Sequence, residues 1–312
     1  MDATMLEIEN KQKEMRDLVN KPIIKRIIDK ERNGIKSELL YSALDMLEDT
    51  ELGINEYLKI ESGNPGQNYL YIFGVLQALY VQSDVIKYLK ESLGLKMEFS
   101  KNMKRMREIR NNAVGHPTNR TRNKGKTVSH NYIIRMSLTH KTFEIHLVHQ
   151  EERKTEETYV DLHELINTHH MEILEIIGEI CAYLTNCEKE YKTIHQNDLL
   201  SNCFPSSLDY HIRKINEVIN TDRNLAQNNF TQVYNSFVDF NTIKEKRDDI
   251  KDNEPINSLI AEIEFPITKL YNYFNEEIGL EEAEIDIYCF YLDHKFRELV
   301  EIAKEIDDEM VL

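Results

Sequence analysis

Apolar positions recur every three or four residues along most of this chain, the period of helices that bury one face. A first amphipathic helix is expected from about Met5 to Val19, and a second after Pro22, a residue suited to a helix's first turn. Asn33-Gly34 breaks the pattern. Residues 37–60 read as one or two helices with an interruption near "EDTELG". After the loop "ESGNPGQ" comes a long helix ending at Gly94, apolar on most sides and therefore central in its domain. Ser100 can cap the next helix, over Lys101–Val114.

The period then changes to two. "NYIIRMSL" and "TFEIHLVH" alternate around "THK", which predicts a β-hairpin over about 131–149. Asp161 with Glu164 resembles a capping arrangement that opens a long helix to about Asn186. The Ser/Asn/Pro-containing stretch "HQNDLLSNCFPSS" is the best boundary. Beyond it the pattern predicts further helices broken near Pro255 and Pro266, and a last acidic helix over Leu280–Asp308. The expected organisation is an N-terminal helical extension (1–35), a mainly α domain with the hairpin inserted (36–190), and an acidic helical region (200–312).

Composition narrows the class. Hydrophobic residues are 41% of the 312 and charged residues 30%, so the chain should fold. Ten glycines and six prolines are too few for an all-β architecture. The four cysteines form no C-x-x-C pair, which favours free thiols in a reducing compartment over a cysteine zinc site. The N-terminus lacks the apolar core of a signal peptide and no run of eighteen apolar residues occurs, so a cytoplasmic protein without a membrane partner is expected.

Net charge is −16, which taken alone argues against nucleic-acid binding; the distribution argues otherwise. Residues 201–312 hold 24 acidic and 11 basic side chains, whereas residues 101–130 hold nine basic side chains against Glu108 alone. Within that basic island lies "REIRNNAVGHPTNR". Gly115 is expected in the left-handed conformation that closes helices, and Pro117 forbids continuation. A helical wheel places Arg110 among Met103, Met106, Ile109 and Val114. There it must reach the surface, meet a structural carboxylate, or serve a phosphate. His116 precedes a proline, which restricts its backbone; it either hydrogen-bonds terminal carbonyls or faces Arg110. Together the two suit RNA cleavage without a metal or cofactor. The histidine would take the ribose 2′-OH proton, and the arginine's planar, permanent charge would stabilise the phosphate. Lys104, Arg107, Arg120, Arg122, Lys124 and Lys126 would add sequence-independent affinity for the RNA backbone, those from Arg120 to Lys126 on a flexible loop.

Arg110-Asn111-x4-His116 resembles the R-x(4–6)-H signature of the HEPN (higher eukaryotes and prokaryotes nucleotide-binding) superfamily, over about residues 36–190. The resemblance implies a HEPN-like helical bundle and a metal-independent endoribonuclease, cutting tRNA or other RNA to a 2′,3′-cyclic phosphate. It implies a homodimer with a composite active site and a role as a toxin or antiphage defence effector, with an antitoxin or regulatory partner. Arg110 and His116 would be catalytic and Asn111 supporting. An acidic residue of an earlier helix would orient Arg110; Asp84 is the first choice and Glu56 the second. Some members of the superfamily are non-catalytic modules that bind RNA, a nucleotide or a protein, and that reading stays open. Tyr69, Tyr71, Phe73 and Tyr80 read as core. The histidines lack the spacing of a metal face, so no metal site is expected.

Overall fold

The computed structural model describes residues 3–30, 34–115, 120–122, 126–149, 154–247, 250–276 and 278–310. It is mainly helical, with ten α-helices and a small antiparallel sheet among these residues. Two compact units follow one another, Met1–Asn186 and Cys187–Leu312. The boundary falls inside a helix that runs on to His195, beyond the expected end at Asn186.

The first unit starts with α1 (Ala3–Val19) and α2 (Pro22–Lys30). Its central pair is α3 (Gly34–Leu58) and α4 (Pro65–Ser92). The interruption expected at "EDTELG" does not occur. Gly53 sits in α3 with open space around it, and burial of Glu51, Ile54 and Asn55 on the same helix outweighs glycine's cost of about 1 kcal/mol. At the start of α4, Asn64 and Gln67 each accept a hydrogen bond from the other's backbone N–H, at 3.0 and 2.9 Å, and Pro65 takes the first turn. By length and composition α4 could cross a membrane; in the structure it buries Ile72, Leu76, Leu79, Ile86 and Leu89 inside this unit.

Ser100 caps α5 (Lys101–Arg110), accepting from the Met103 N–H at 3.0 Å. The chain then widens into a π-helical turn, Asn111–Gly115. The expected hairpin is part of a four-stranded meander in the order β1 (Arg120–Arg122), β2 (Lys126–Ile133), β3 (Thr142–His149), β4 (Lys154–Asp161). The stretch read as a flexible basic loop thus contributes strands, with Arg122 paired to Lys126. Asp161 does cap the helix that follows, α6 (Leu162–His195), accepting from the Glu164 N–H at 3.1 Å.

Apolar packing in this unit forms two clusters. One joins Met15, Leu44, Leu47, Val85, Leu89 and Ile177. The other joins Ile54, Leu79, Ile109, Phe143, Ile145 and Ile166, seating the sheet's inner face on the end of α5 that leads into the π-turn. Glu51, Gln82, Ser83, His169 and His170 are among the buried polar side chains, at chain positions between the residues of the two clusters on α3, α4 and α6.

The second unit comprises α7 (Leu208–Val218), α8 (Arg223–Lys246), α9 (Glu254–Phe274) and α10 (Glu282–Asp308) around one apolar cluster. Pro255 begins α9, as a first-turn proline can. Pro266 does not break it, because Ile263, Pro266 and Ile267 are buried together and offset the lost backbone bond. Arg247 is fully buried and donates to the Tyr191 hydroxyl at 3.1 Å, with Asp307 at 3.7 Å. Asp307 in turn accepts from the backbone N–H groups of Leu200 and Ser201. All four cysteines are unbridged, and burial raises the pKa of Cys289 to about 12.

Candidate anion-binding and catalytic site

α5 presents two guanidinium groups to α4, and they are satisfied differently. Arg107 donates to the Asp84 carboxylate at 2.7 Å and to the Ser83 hydroxyl at 2.8 Å. Its guanidinium lies 3.9 Å from the centre of the Tyr80 ring and 4.5 Å from that of Phe99. A carboxylate and two aromatic faces neutralise and fix it.

Arg110, one turn on, rests 4.5 Å from the centre of the same Tyr80 ring. Its Nε and Nη2 both donate to Oε1 of Gln77, at 3.1 and 2.7 Å, and Nη1 donates to Oδ1 of Asn111 at 3.1 Å. Both hydrogen-bonding partners are neutral amides, and among the described residues no carboxylate comes within ion-pair distance of this guanidinium. Arg110 is half-buried, so it reaches the edge of the apolar sector instead of sitting within it. Its orientation is set and its full charge remains available to an anion.

Two expectations are corrected here. Asp84 orients Arg107, not Arg110; both arginines project toward α4, and the carboxylate meets the one a turn earlier. Glu56, the second choice, is exposed and pairs with Lys59. Gly115 is not left-handed either, since Gly94 is the glycine with positive φ among those described. A Cβ at 115 would lie 2.7 Å from Arg110 Nη1 and 3.3 Å from Asn111 Oδ1, so a side chain there must displace the guanidinium. The π-turn thus brings Gly115 close to the guanidinium of Arg110 and the amide of Asn111. Turns of this type are enriched at functional sites.

His116 and Lys124 lie outside the described residues; His116 follows directly on Gly115. Arg120, Arg122 and Lys126 occupy positions on β1 and β2, with Arg122 opposite Lys126 in the strand register. Lys104 is exposed on α5. The π-turn is tied to the sheet where Asn131 of β2 donates to Oδ1 of the buried Asn112 at 3.2 Å.

Gln77, Tyr80, Ser83 and Phe99 were absent from the expected site. Tyr80, expected in the core, is half-buried against two guanidinium groups. A signal existed: Gln77, Tyr80 and Asp84 fall on one face of α4 at i, i+3 and i+7. Among the described residues no group of three His, Cys, Asp or Glu side chains converges as a metal site. Comparison with known protein families, curated proteins and solved structures finds no match.

Proposed function

We propose that this chain is a metal-independent endoribonuclease of HEPN type, with Arg110 as phosphate-binding cation and His116 as proton-transfer group. The observation that carries the reading is the state of Arg110. Its guanidinium is oriented by neutral amides, backed by Tyr80 and free of a carboxylate among the described residues, and in the sequence His116 comes directly after Gly115.

In the proposed reaction His116 takes the proton of a ribose 2′-OH, and the 2′ oxygen attacks the adjacent phosphorus. The P–O5′ bond breaks, leaving a 2′,3′-cyclic phosphate, and the departing oxygen gains a proton to become a 5′-OH. Arg110 stabilises the charge of the five-coordinate phosphate where it develops, and Asn111 holds the guanidinium's Nη1. Positioned proton transfer contributes roughly 10²- to 10⁴-fold. Lys104 and the basic positions of β1 and β2 supply backbone affinity. Arg107 is assigned to positioning, because Asp84 already neutralises it.

A homodimer with a composite site belongs to the same proposal. Leu70, 71% exposed, with Gly74, Gln77 and Tyr88 forms an exposed strip of α4 beside Arg110, suited to a second copy. The cytoplasmic setting, tRNA as substrate, the defence role and an antitoxin partner rest on the family resemblance. Incubating the full chain with tRNA and total RNA in EDTA tests the reading. Cleavage lost in both Arg110→Ala and His116→Ala supports it, and equal cleavage by those variants refutes it. Salt-sensitive RNA binding with no cyclic-phosphate product would favour the non-catalytic module.

A further inference from the structure

The serine that opens α7 does not cap it. Ser207 holds the N-cap position at φ −89° and ψ 3°, and its side chain makes no capping hydrogen bond, the bond by which serine usually stabilises a helix start. Its Oγ lies instead 3.1 Å from Nε2 of His211, one turn on. Nδ1 of His211 lies 2.8 Å from Oδ1 of Asn229 on α8. Nδ2 of Asn229 donates to the Leu225 carbonyl at 2.7 Å, which leaves Oδ1 as the acceptor. Nδ1 of the neutral imidazole therefore carries the hydrogen, and Nε2 accepts from the Ser207 hydroxyl. Burial rises along the same chain of contacts: Ser207 is exposed, His211 half-buried and Asn229 buried.

A hydroxyl bonded to an imidazole that a third group orients is the arrangement of an activated nucleophile. The nearby carboxylate of Asp209 pairs with Arg297 at 3.6 Å, and His211 is the base in contact with Ser207. The N–H groups of Asp209 and Tyr210, in the first turn of α7, have no partner within the helix and suit the oxyanion of an attacked carbonyl. The Tyr210 ring, 53% exposed, stands edge-on to His211 with ring centres 5.5 Å apart, and offers an apolar face to an acyl chain. Acidic side chains outnumber basic ones by 24 to 11 over residues 201–312, a field that disfavours anionic substrates. An uncharged carboxylic ester with a short acyl chain meets these conditions.

We infer that Ser207 and His211 form an esterase site on the second unit, with Asn229 as positioning residue. Ser207 Oγ attacks the ester's carbonyl carbon as its proton passes to His211 Nε2. The C–O bond to the alcohol breaks and the alcohol leaves with that proton. Water then attacks the acyl-serine, its proton passing through Nε2 to the departing Ser207 oxygen. All three residues lie in the second unit, so the inference stands apart from the ribonuclease reading. The test is release of 4-nitrophenol from 4-nitrophenyl butyrate by the full chain, with peptide mass spectrometry after treatment with an alkyl fluorophosphonate. Release should be lost in Ser207→Ala, and the phosphonate should label Ser207 in preference to Ser206, which is also exposed. Labelling should slow at least ~10²-fold in His211→Gln. It should slow in Asn229→Ala too, and recover in Asn229→Asp, which keeps an acceptor for Nδ1. Should the variants of buried Asn229 fail to fold by circular dichroism, those of Ser207 and His211 decide. Release undiminished in Ser207→Ala, no preferential labelling of Ser207, or undiminished labelling in folded His211→Gln overturns the inference.

Discussion

At the scale of single residues, Arg110 and Gly115 compete for one space. The glycine has no Cβ because the guanidinium occupies that space, 2.7 Å from where the atom would be. Gly115→Ala should therefore displace Arg110 while changing stability by less than about 1 kcal/mol, since alanine is otherwise favoured in a helical turn. RNA cleavage should fall on the order of 10²-fold, as for other displacements near 1 Å, with the urea-unfolding midpoint nearly unchanged. Full activity in Gly115→Ala would show that the position of Arg110 is not critical. A second residue-scale prediction concerns the buried His169, whose Nε2 donates to Gln82 Oε1 at 3.1 Å. Burial, and then the neighbouring His170, push its pKa down to about 3, whereas an unfolded chain titrates near 6.5. The unfolded state thus binds the proton more readily. The stability due to neutral His169 is complete above about pH 6.5 and is lost as pH falls toward 3, by up to about 1.4 kcal/mol per pH unit. Urea midpoints at pH 7, 6 and 5 should fall in that order, and more steeply than in His169→Gln.

At the scale of elements, what was legible in the sequence depended on how local the physics was. The caps at Ser100 and Asp161 involve residues three apart, so they could be read directly, whereas the cap at Asn64 lies inside the stretch expected as loop. β4 could not: "KTEETYVD" is charged because most of the strand is exposed, which leaves almost no apolar alternation to see. The partner of Asp84 was missed for a different reason. Arg107 and Arg110 lie three residues apart on one face, and only the packing of α5 on α4 determines which one the carboxylate meets. The π-turn was hidden because glycine before a proline-containing stretch also matches an ordinary helix stop. Its hold on the sheet is a testable element contact. Asn131→Ala removes the amide that reaches buried Asn112 and should cost about 1–3 kcal/mol, read from urea unfolding, with a loss of cleavage that Lys104→Ala would not match. In the second unit, Asp307→Asn removes the carboxylate beside the buried Arg247 and should cost about 3–5 kcal/mol.

For the whole molecule, charge segregation reconciles a net −16 with an anionic ligand. Basic residues are gathered on α5 and on the strands that follow it, whereas residues 201–312 carry a large acidic excess. RNA affinity should accordingly fall steeply with salt. If Lys104, Arg110, Arg120, Arg122, Lys124 and Lys126 each meet a phosphate, log K against log salt has a slope of about −4, from roughly −0.7 per contact on single strands. Replacing Lys124 and Lys126 together should make that slope about 1.4 shallower. The central claim is that Arg110 and His116 cleave RNA by internal attack of the 2′-OH. Mass spectrometry of the 3′ ends of RNA cut in EDTA tests it most directly. The account predicts 2′,3′-cyclic phosphate ends with the unaltered chain and uncut RNA with Arg110→Ala or His116→Ala. Ends bearing a 3′-OH, or cyclic ends that persist in either variant, would contradict it.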